Sequence, residues 1–401
     1  MRDLKEVRAD FPIFKDGKLI YLDSAATAHK PSCVIDAMSD FYANHYGTVH
    51  RAVYKLAADA TGRYCAVREK VATFLNARFS DEIIFTKGTT DGFNLLAHSF
   101  GRHFLQKGDA IILSEMEHHA NLVPWQQIAH EKGIELRFIP MDEKGELDLA
   151  IYKELLDSSV KLVSIAHIAN STGTKNPIEQ MILLAHAVGA KFAVDGAQSA
   201  AHLKIDVQKL DADFFLFSGH KCFGPTGVGI LYGKREILEQ MPPYQTGGDM
   251  ITSVHLRDSR FQAPPMRFEA GTPMIAEVIG LGAAIDYIES LGLDAIEAHE
   301  QKLLGYATEK LLAISGLRLL GSAREKGAIC NFVIDGVHPL DVGTLLDLRG
   351  IAVRTGHLCA QPALRKFGLD ASVRASFAPY NTLADIDFFI TALTSITTRL
   401  R

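Results

Sequence analysis

KFAVDGAQSAAHLKIDVQKLDADFFLFSGHKCFGPTGVG, residues 191–229, is the stretch on which the reading of this chain turns. A short apolar run, Phe192 to Val194, ends on an acid, Asp195, and a small-residue turn carrying Gln198 follows. A second run, Phe214 to Phe217, ends in Ser218-Gly219-His220-Lys221. Short apolar runs bounded by turn signals read as buried strands of a parallel sheet. The two runs therefore carry a carboxylate and an amine to the same edge of one sheet, the edge at which open α/β sheets bind ligands. Taken singly, Lys221 is a surface lysine in a Gly-rich turn and Asp195 a helix cap. Together, with Ser218 and His220 beside them as phosphate donors, they read as a site.

Pyridoxal phosphate (PLP) needs such a pair: a lysine amine for a Schiff base and a carboxylate that keeps the pyridine nitrogen protonated. The stretch resembles the cofactor-lysine segment of fold-type I PLP enzymes of the class V aminotransferase group. SGHK followed by GPTGVGILYG is similar to the cysteine desulfurases. The resemblance extends along essentially the whole chain. It implies an aspartate aminotransferase-like α/β fold: a large PLP-binding domain over residues 16–280, a small C-terminal α+β domain over 281–401, and an N-terminal arm over 1–15.

Composition agrees with a large soluble globular protein. The chain has 401 residues, 47% of them apolar and 22% charged, enough for a sizeable core and more than one domain. A formal net charge of −5 without a Lys/Arg block gives no electrostatic basis for nucleic-acid binding. No apolar run reaches the ~20 residues of a membrane helix, and MRDLKEVRADFPIF lacks a signal peptide's apolar centre. The five cysteines, at 33, 65, 222, 330 and 359, are odd in number and form no CxxC pair, which argues against disulfides or zinc and for a reducing cytoplasm.

Strands alternate with helices from about 80 to 232, predicting a mainly parallel sheet with helices on both faces. YLDSAATAHKP, residues 21–31, reads as a brief strand, small residues and a proline before a helix. In NHYGTVHRAVYKLA, His50 and Arg51 lie in a loop, and the resemblance makes them candidates for the site entrance. Lys87-Gly88-Thr89-Thr90 sits between a strand and a helix, where free N–H groups and hydroxyls form a phosphate cradle. It is neither a Walker A loop nor a dinucleotide fingerprint. The resemblance places the PLP phosphate there, with Thr89 and Thr90 as donors. In EHHAN it places His118 against the PLP ring, also suited to proton transfer near neutral pH, and leaves His119 structural; adjacent histidines without a carboxylate–histidine spacing do not read as a metal site. It further gives Gln198 the PLP phenolic oxygen and Asn170 the substrate or the ring hydroxyl. Residues 242–273 break the rhythm and read as a long loop. The RFEAGTP at its end implies that Thr272 reaches the phosphate of a partner subunit, making the protein a homodimer.

RTGHLCAQP, residues 354–362, is a loop between a strand and a helix, in which Arg354 and His357 bring positive charge near Cys359. A reactive thiol needs that charge and access to solvent. The loop resembles the RxGxHCA motif of the SufS/CsdA type, with Leu358 where the motif has histidine. In SVRASFAPYN, Arg374 ends a strand with a fork suited to an α-carboxylate. The resemblance implies a cysteine desulfurase, in which L-cysteine becomes L-alanine and its sulfur stays on Cys359 as a persulfide, with Lys221 carrying the proton. A SufE-like acceptor, iron–sulfur cluster assembly and L-selenocysteine as a second substrate come with it. The competing readings are another fold-type I PLP lyase or aminotransferase, which would not need Cys359, and a sulfur-trafficking protein without activity.

Overall fold

The computed structural model describes residues 4–400; residues 1–3 of the expected arm and Arg401 lie outside the described residues. The central sheet is built from β1 (Ile83–Thr86), β2 (Ala110–Ser114), β3 (Glu135–Ile139), β4 (Val160–Ala166), β5 (Lys191–Asp195), β6 (Phe214–Ser218) and β7 (Gly229–Gly233). Their order across the sheet is β1-β7-β6-β5-β4-β2-β3. The run from β6 to β3 is parallel, as expected, while β7 is antiparallel to both its neighbours. The reason is chain length: the segment from Gly219 to Val228 is too short for a crossover, which takes a dozen residues or more.

Successive strand residues face opposite sides, and here both sides are apolar. Phe215 and Phe217, Val163 and Ile165, and Phe192 and Val194 enter one core. Phe214 and Leu216, Leu162, and Ala193 enter the other. Helices α1 (Lys55–Phe74) and α3 (Ile275–Leu291) pack on the first side. The second is covered by Trp125 and by Phe93 of α2 (Thr89–Leu95). Each fully buried Phe contributes roughly 1.5–3 kcal/mol, so the sheet edge that carries Asp195 and Lys221 is rigidly placed.

The helical chain that begins at Ile275 is broken at Gly292, whose φ of 84° is left-handed. Beyond it, α4 (Leu293–Leu312) turns Leu303, Leu304, Ala307 and Leu311 into a separate core. That core is shared with α5 (Leu383–Leu400) and an antiparallel sheet of β8 (Leu317–Leu320), β9 (Ile329–Ile334), β10 (Arg354–Gly356) and β11 (Ser372–Ser376), in the order β8-β9-β11-β10. Strand β8 is not foreshadowed by the sequence, because LRLL is short and half-exposed. Ile351–Ala352 pairs instead with Ile20–Tyr21. The segment 242–273 is not all loop: Ile251–Val254 and Ser259–Phe261 form an exposed antiparallel hairpin.

Candidate active site

The C-terminal ends of β4, β5 and β6 open onto a cavity of about 440 Å³, closed from above by the turn after β10 and by β11. Asp195 ends β5 and is buried, one carboxylate oxygen accepting the Ala197 N–H at 2.9 Å. Burial raises its pKa, opposed by that N–H and by Lys221. Lys221, in the turn after β6, shows the converse: burial lowers its pKa and Asp195 opposes the shift. Burial thus works against the charged form of each group, and each is partly offset by the opposite charge of the other. Gln198 also lines the cavity, its amide donating to the Ala25 carbonyl at 2.6 Å.

His118 lies on the cavity wall with Nδ1 accepting the Ala120 N–H at 3.0 Å. Burial, then Lys221, His119 and Arg374, push its pKa down to about 3. This corrects the expectation of a group titrating near neutral pH: the imidazole is neutral and carries its proton on Nε2. Beneath it, Glu117 is buried and accepts from Ser114 Oγ, Asn121 Nδ2 and the Ala166 N–H, and burial pushes its pKa up to about 8.

Thr89, Thr90, Ser218 and His220 meet at the far end of the cavity. Ser218 Oγ accepts the Thr89 N–H at 2.8 Å and lies 2.8 Å from Thr89 Oγ1. His220 Nδ1 is 3.1 Å from Thr27 Oγ1, and burial lowers its pKa to about 4. The cradle needs two glycines. Gly88 has φ 147°, and a Cβ on Gly229 would lie 2.5 Å from Gly88 Cα. A second cavity of about 380 Å³, lined also by Lys87 and Tyr244, abuts these four residues from outside.

The upper wall comes from the four-stranded antiparallel sheet and the turn after β10. Arg374 and Arg354 are directly opposed on β11 and β10, an arrangement that repels. Asp23 resolves it: Oδ1 takes Arg374 Nη2 at 3.2 Å and Oδ2 takes Arg354 Nη2 at 2.8 Å. Arg374 Nη1 donates to the Asn170 carbonyl at 2.9 Å, whereas its Nε, fully buried, has no partner among the described residues. Asn170 donates through Nδ2 to the Leu358 carbonyl at 2.7 Å, and its Oδ1 is likewise buried without a partner among them. Asp23, in the DSAA segment, is the organising residue that the motifs alone do not single out; its one signal in the sequence is an acid at the end of a two-residue strand.

Cys359 is exposed at the mouth of the cavity. It and Leu358 both have left-handed backbones, φ 53° and 56°, uncommon for residues with a side chain. Three contacts hold the turn: Asn170 on Leu358, the Cys359 N–H donating to His357 Nδ1 at 3.0 Å, and the His119 N–H donating to the Cys359 carbonyl at 2.8 Å. His119, expected to be merely structural, is thus a clamp on the cysteine turn, and its Nε2 also accepts the Gln361 N–H at 3.2 Å. Arg354, expected to lend charge to Cys359, is committed to Asp23.

Three expected residues lie elsewhere, among them Arg51, which pairs with Asp249 at 3.1 Å and does not line the cavity. His50 stacks edge-on against Tyr64 at 5.5 Å, and neither it nor the exposed Thr272 lines the cavity. Thr272 follows a buried anchor, Glu269, which is paired with Arg68 at 2.7 Å and accepts the Phe85 N–H of β1 at 2.8 Å.

A family model for aminotransferase class-V matches residues 20–389. The chain belongs to this family. A class-V relative from Serratia proteamaculans, a cysteine desulfurase, is 49% identical over 398 residues and 98% of each chain. Relatives from Mycolicibacterium paratuberculosis and Synechococcus elongatus are 49% and 48% identical, and the chain spans 58% and 64% of their lengths. The solved cysteine desulfurase CsdA of Escherichia coli superposes with a TM-score of 0.92 at 40% identity, covering 100% of this chain and 98% of that one. The enzyme of Thermococcus onnurineus gives 0.96 at 39%, covering 100% and 99%. The fold is thus the fold-type I architecture expected of the family.

Proposed function

We propose that this chain is a PLP-dependent cysteine desulfurase that converts L-cysteine to L-alanine and keeps the sulfur as a persulfide on Cys359. The observation that carries the reading is the convergence of Cys359, Lys221 and Arg374 on one cavity. A fold-type I aminotransferase or lyase would need the last two and not the first.

The residues fit the cofactor. Lys221 and Asp195 are the amine and the carboxylate it requires, Gln198 and His118 flank them, and Thr89, Thr90, Ser218 and His220 offer a phosphate site. When bound, PLP supplies an aldehyde that joins to amines and a protonated ring that takes up electrons from a substrate Cα. Arg374 Nε, buried and without a partner among the described residues, is the donor left for the substrate α-carboxylate, and Asn170 Oδ1, likewise without a partner among them, is an acceptor for its amino group or for a ring hydroxyl. Lys221, its pKa lowered by burial, takes the Cα proton. Neutral His118 packs and donates without adding a second cation to the site. The Cys359 thiolate attacks the substrate sulfur: an S–S bond forms as the C–S bond breaks, and Cβ gains the electron pair and a proton. L-cysteine and the thiol give alanine and a persulfide, with no outside oxidant.

The exposure of Cys359 supports onward transfer of sulfur to an acceptor protein of the SufE kind for iron–sulfur cluster assembly. L-selenocysteine fits the same groups. Placement of Thr272 outside its own cavity supports a homodimer in which it serves the partner's phosphate site. A large domain over 16–280, a small one over 281–401 and a cytoplasmic location complete the reading; no helix among the described residues is long and apolar enough to cross a membrane.

The test is the mass of the intact protein after brief exposure to L-cysteine, with peptide mapping. The reading requires one added sulfur on the Cys359 peptide, absent from Cys359→Ala. No added sulfur, with an absorbance spectrum that still responds to amino acids, would make the chain a lyase or aminotransferase.

A further inference from the structure

One cluster at the cavity mouth has a chemistry that desulfuration does not use. His119, His357 and Cys359 each present a ligand atom, and the three atoms lie within 4.8 Å of one another. The imidazoles are 5.6 Å apart, tilted by 30°. Both are held in the tautomer whose lone pair faces the cysteine turn: His357 Nδ1 accepts from the Cys359 N–H and His119 Nε2 from the Gln361 N–H. Two imidazoles and a thiol thus lie close enough to share one small ion, with His357 and Cys359 on the solvent side. His357 and Cys359 are exposed and His119 is half-buried.

We propose that His119, His357 and Cys359 form a binding site for a thiophilic divalent cation of the Zn2+ class, which masks the Cys359 thiol when occupied. Zinc takes imidazole nitrogen at about 2.0–2.1 Å and thiolate at about 2.3 Å in tetrahedral geometry. Its ligands then stand about 3.5 Å apart, so the exposed turn must close by about 1 Å. Each lone pair exchanges a single backbone N–H bond, 3.0 Å at His357 and 3.2 Å at His119, for the metal. Binding replaces the thiol proton, which leaves to solvent, with no change of oxidation state. The fourth position stays open to water. Mixed imidazole and thiolate donors select zinc-like ions over magnesium or calcium, which prefer oxygen. Because the thiolate is both nucleophile and ligand, an occupied site cannot accept sulfur. That last consequence rests on the proposed function; the binding itself does not.

The experiment uses the PLP-loaded protein and Zn2+ alone. Peptide mass spectrometry follows iodoacetamide alkylation of Cys359, with exposed Cys33 as internal control, and equilibrium dialysis counts the bound zinc. Zn2+ is expected to slow alkylation of Cys359 about tenfold or more while leaving Cys33 unchanged. In His357→Ala and His119→Ala the protection falls to less than about twofold, and the bound zinc is lost with it. Protection that persists in both variants would reduce the site to a lone thiolate and overturn the proposal. So would stoichiometric zinc that leaves Cys359 reactive. If zinc fails to protect while L-cysteine still loads sulfur onto Cys359, the metal site falls and the desulfurase stands. Protection without sulfur loading would leave the metal site standing and remove the desulfurase.

Discussion

Arg374 concentrates the electrostatics of the site in one side chain. Burial lowers its pKa and Asp23 opposes the shift, so the guanidinium is held by a single carboxylate that it shares with Arg354. Lysine cannot reproduce a planar fork that grips Asp23, the Asn170 carbonyl and a carboxylate at once. Arg374→Lys is therefore expected to raise the KM for L-cysteine about tenfold or more with a smaller loss in kcat, as steady-state alanine release would show. An equal loss in both would mean the residue acts on the chemistry and not on binding. Arginine at that position was legible in the sequence because its function needs its residue type. The charge of His118 was not, since nothing in EHHAN reports how deeply the ring is buried. Burial puts its folded pKa at about 3, below the 6.5 of free imidazole. A depressed pKa contributes stability above the unfolded value that is lost as pH falls through the folded one. The cofactor-free protein is thus expected to lose thermal stability as pH drops from 6.5 towards 3, at a slope of at most ~1.4 kcal/mol per pH unit from this group. His118→Asn should flatten that part of the Tm–pH curve, and an unchanged curve would place the acid sensitivity elsewhere.

Among the elements, the strands of the large sheet were readable because they are apolar on both faces, and a run such as FFLF has few other homes. What the sequence could not show was direction. The antiparallel course of β7 depends on the length of the connection from β6, and the hairpin at Ile251–Phe261 on local pairing within a Gly- and Pro-rich stretch. Strand β8 was lost for the same reason that it is marginal: four residues, half-exposed. The close approach of β7 to the turn after β1 leads to a test. A Cβ on Gly229 would meet Gly88 Cα at 2.5 Å and the Phe217 carbonyl at 2.8 Å. Both neighbours are backbone and neither can rotate away. Gly229→Ala should cost about 1–3 kcal/mol of stability and pull Gly88 away from Ser218. Denaturant melting should show the cost, and faster loss of PLP on dialysis should show the damaged cradle. A variant that melts early yet retains PLP would show that phosphate binding does not depend on this approach. The cysteine turn is a second case. Asn170 Nδ2 holds the Leu358 carbonyl against two left-handed residues. Asn170→Ala should speed amide exchange across residues 356–360 while leaving β9 protected.

At the scale of the molecule, the site joins two bodies of chain that fold around different cores, so its residues come from positions 23 to 374 and no single motif contains it. Separate motifs could each be read, but the bridge between them could not. Asp23 makes sense only once β10 and β11 place two arginines face to face. The surface poses the remaining question. Val53, Tyr54, Val254, Leu256 and Phe261 are exposed, Val53 and Leu256 completely. They form neighbouring segments, because Arg51 bonds to Asp249 and lies against the Ile251 carbonyl. A large apolar patch on a folded chain marks an interface. Its residues Val254, Leu256 and Phe261 lie on the same loop-rich segment as Thr272, which stands outside its own chain's cavity. If the patch is the dimer contact, burying it and delivering Thr272 to a partner are one event. Light scattering should then give twice the chain mass of 43.9 kDa. Val53→Asp combined with Leu256→Asp should shift the protein to monomer and weaken PLP retention together, since the phosphate site would lose a donor. A monomeric double variant that holds PLP as tightly as the parent would show that each chain completes its own phosphate site, and Thr272 would then have no role in it.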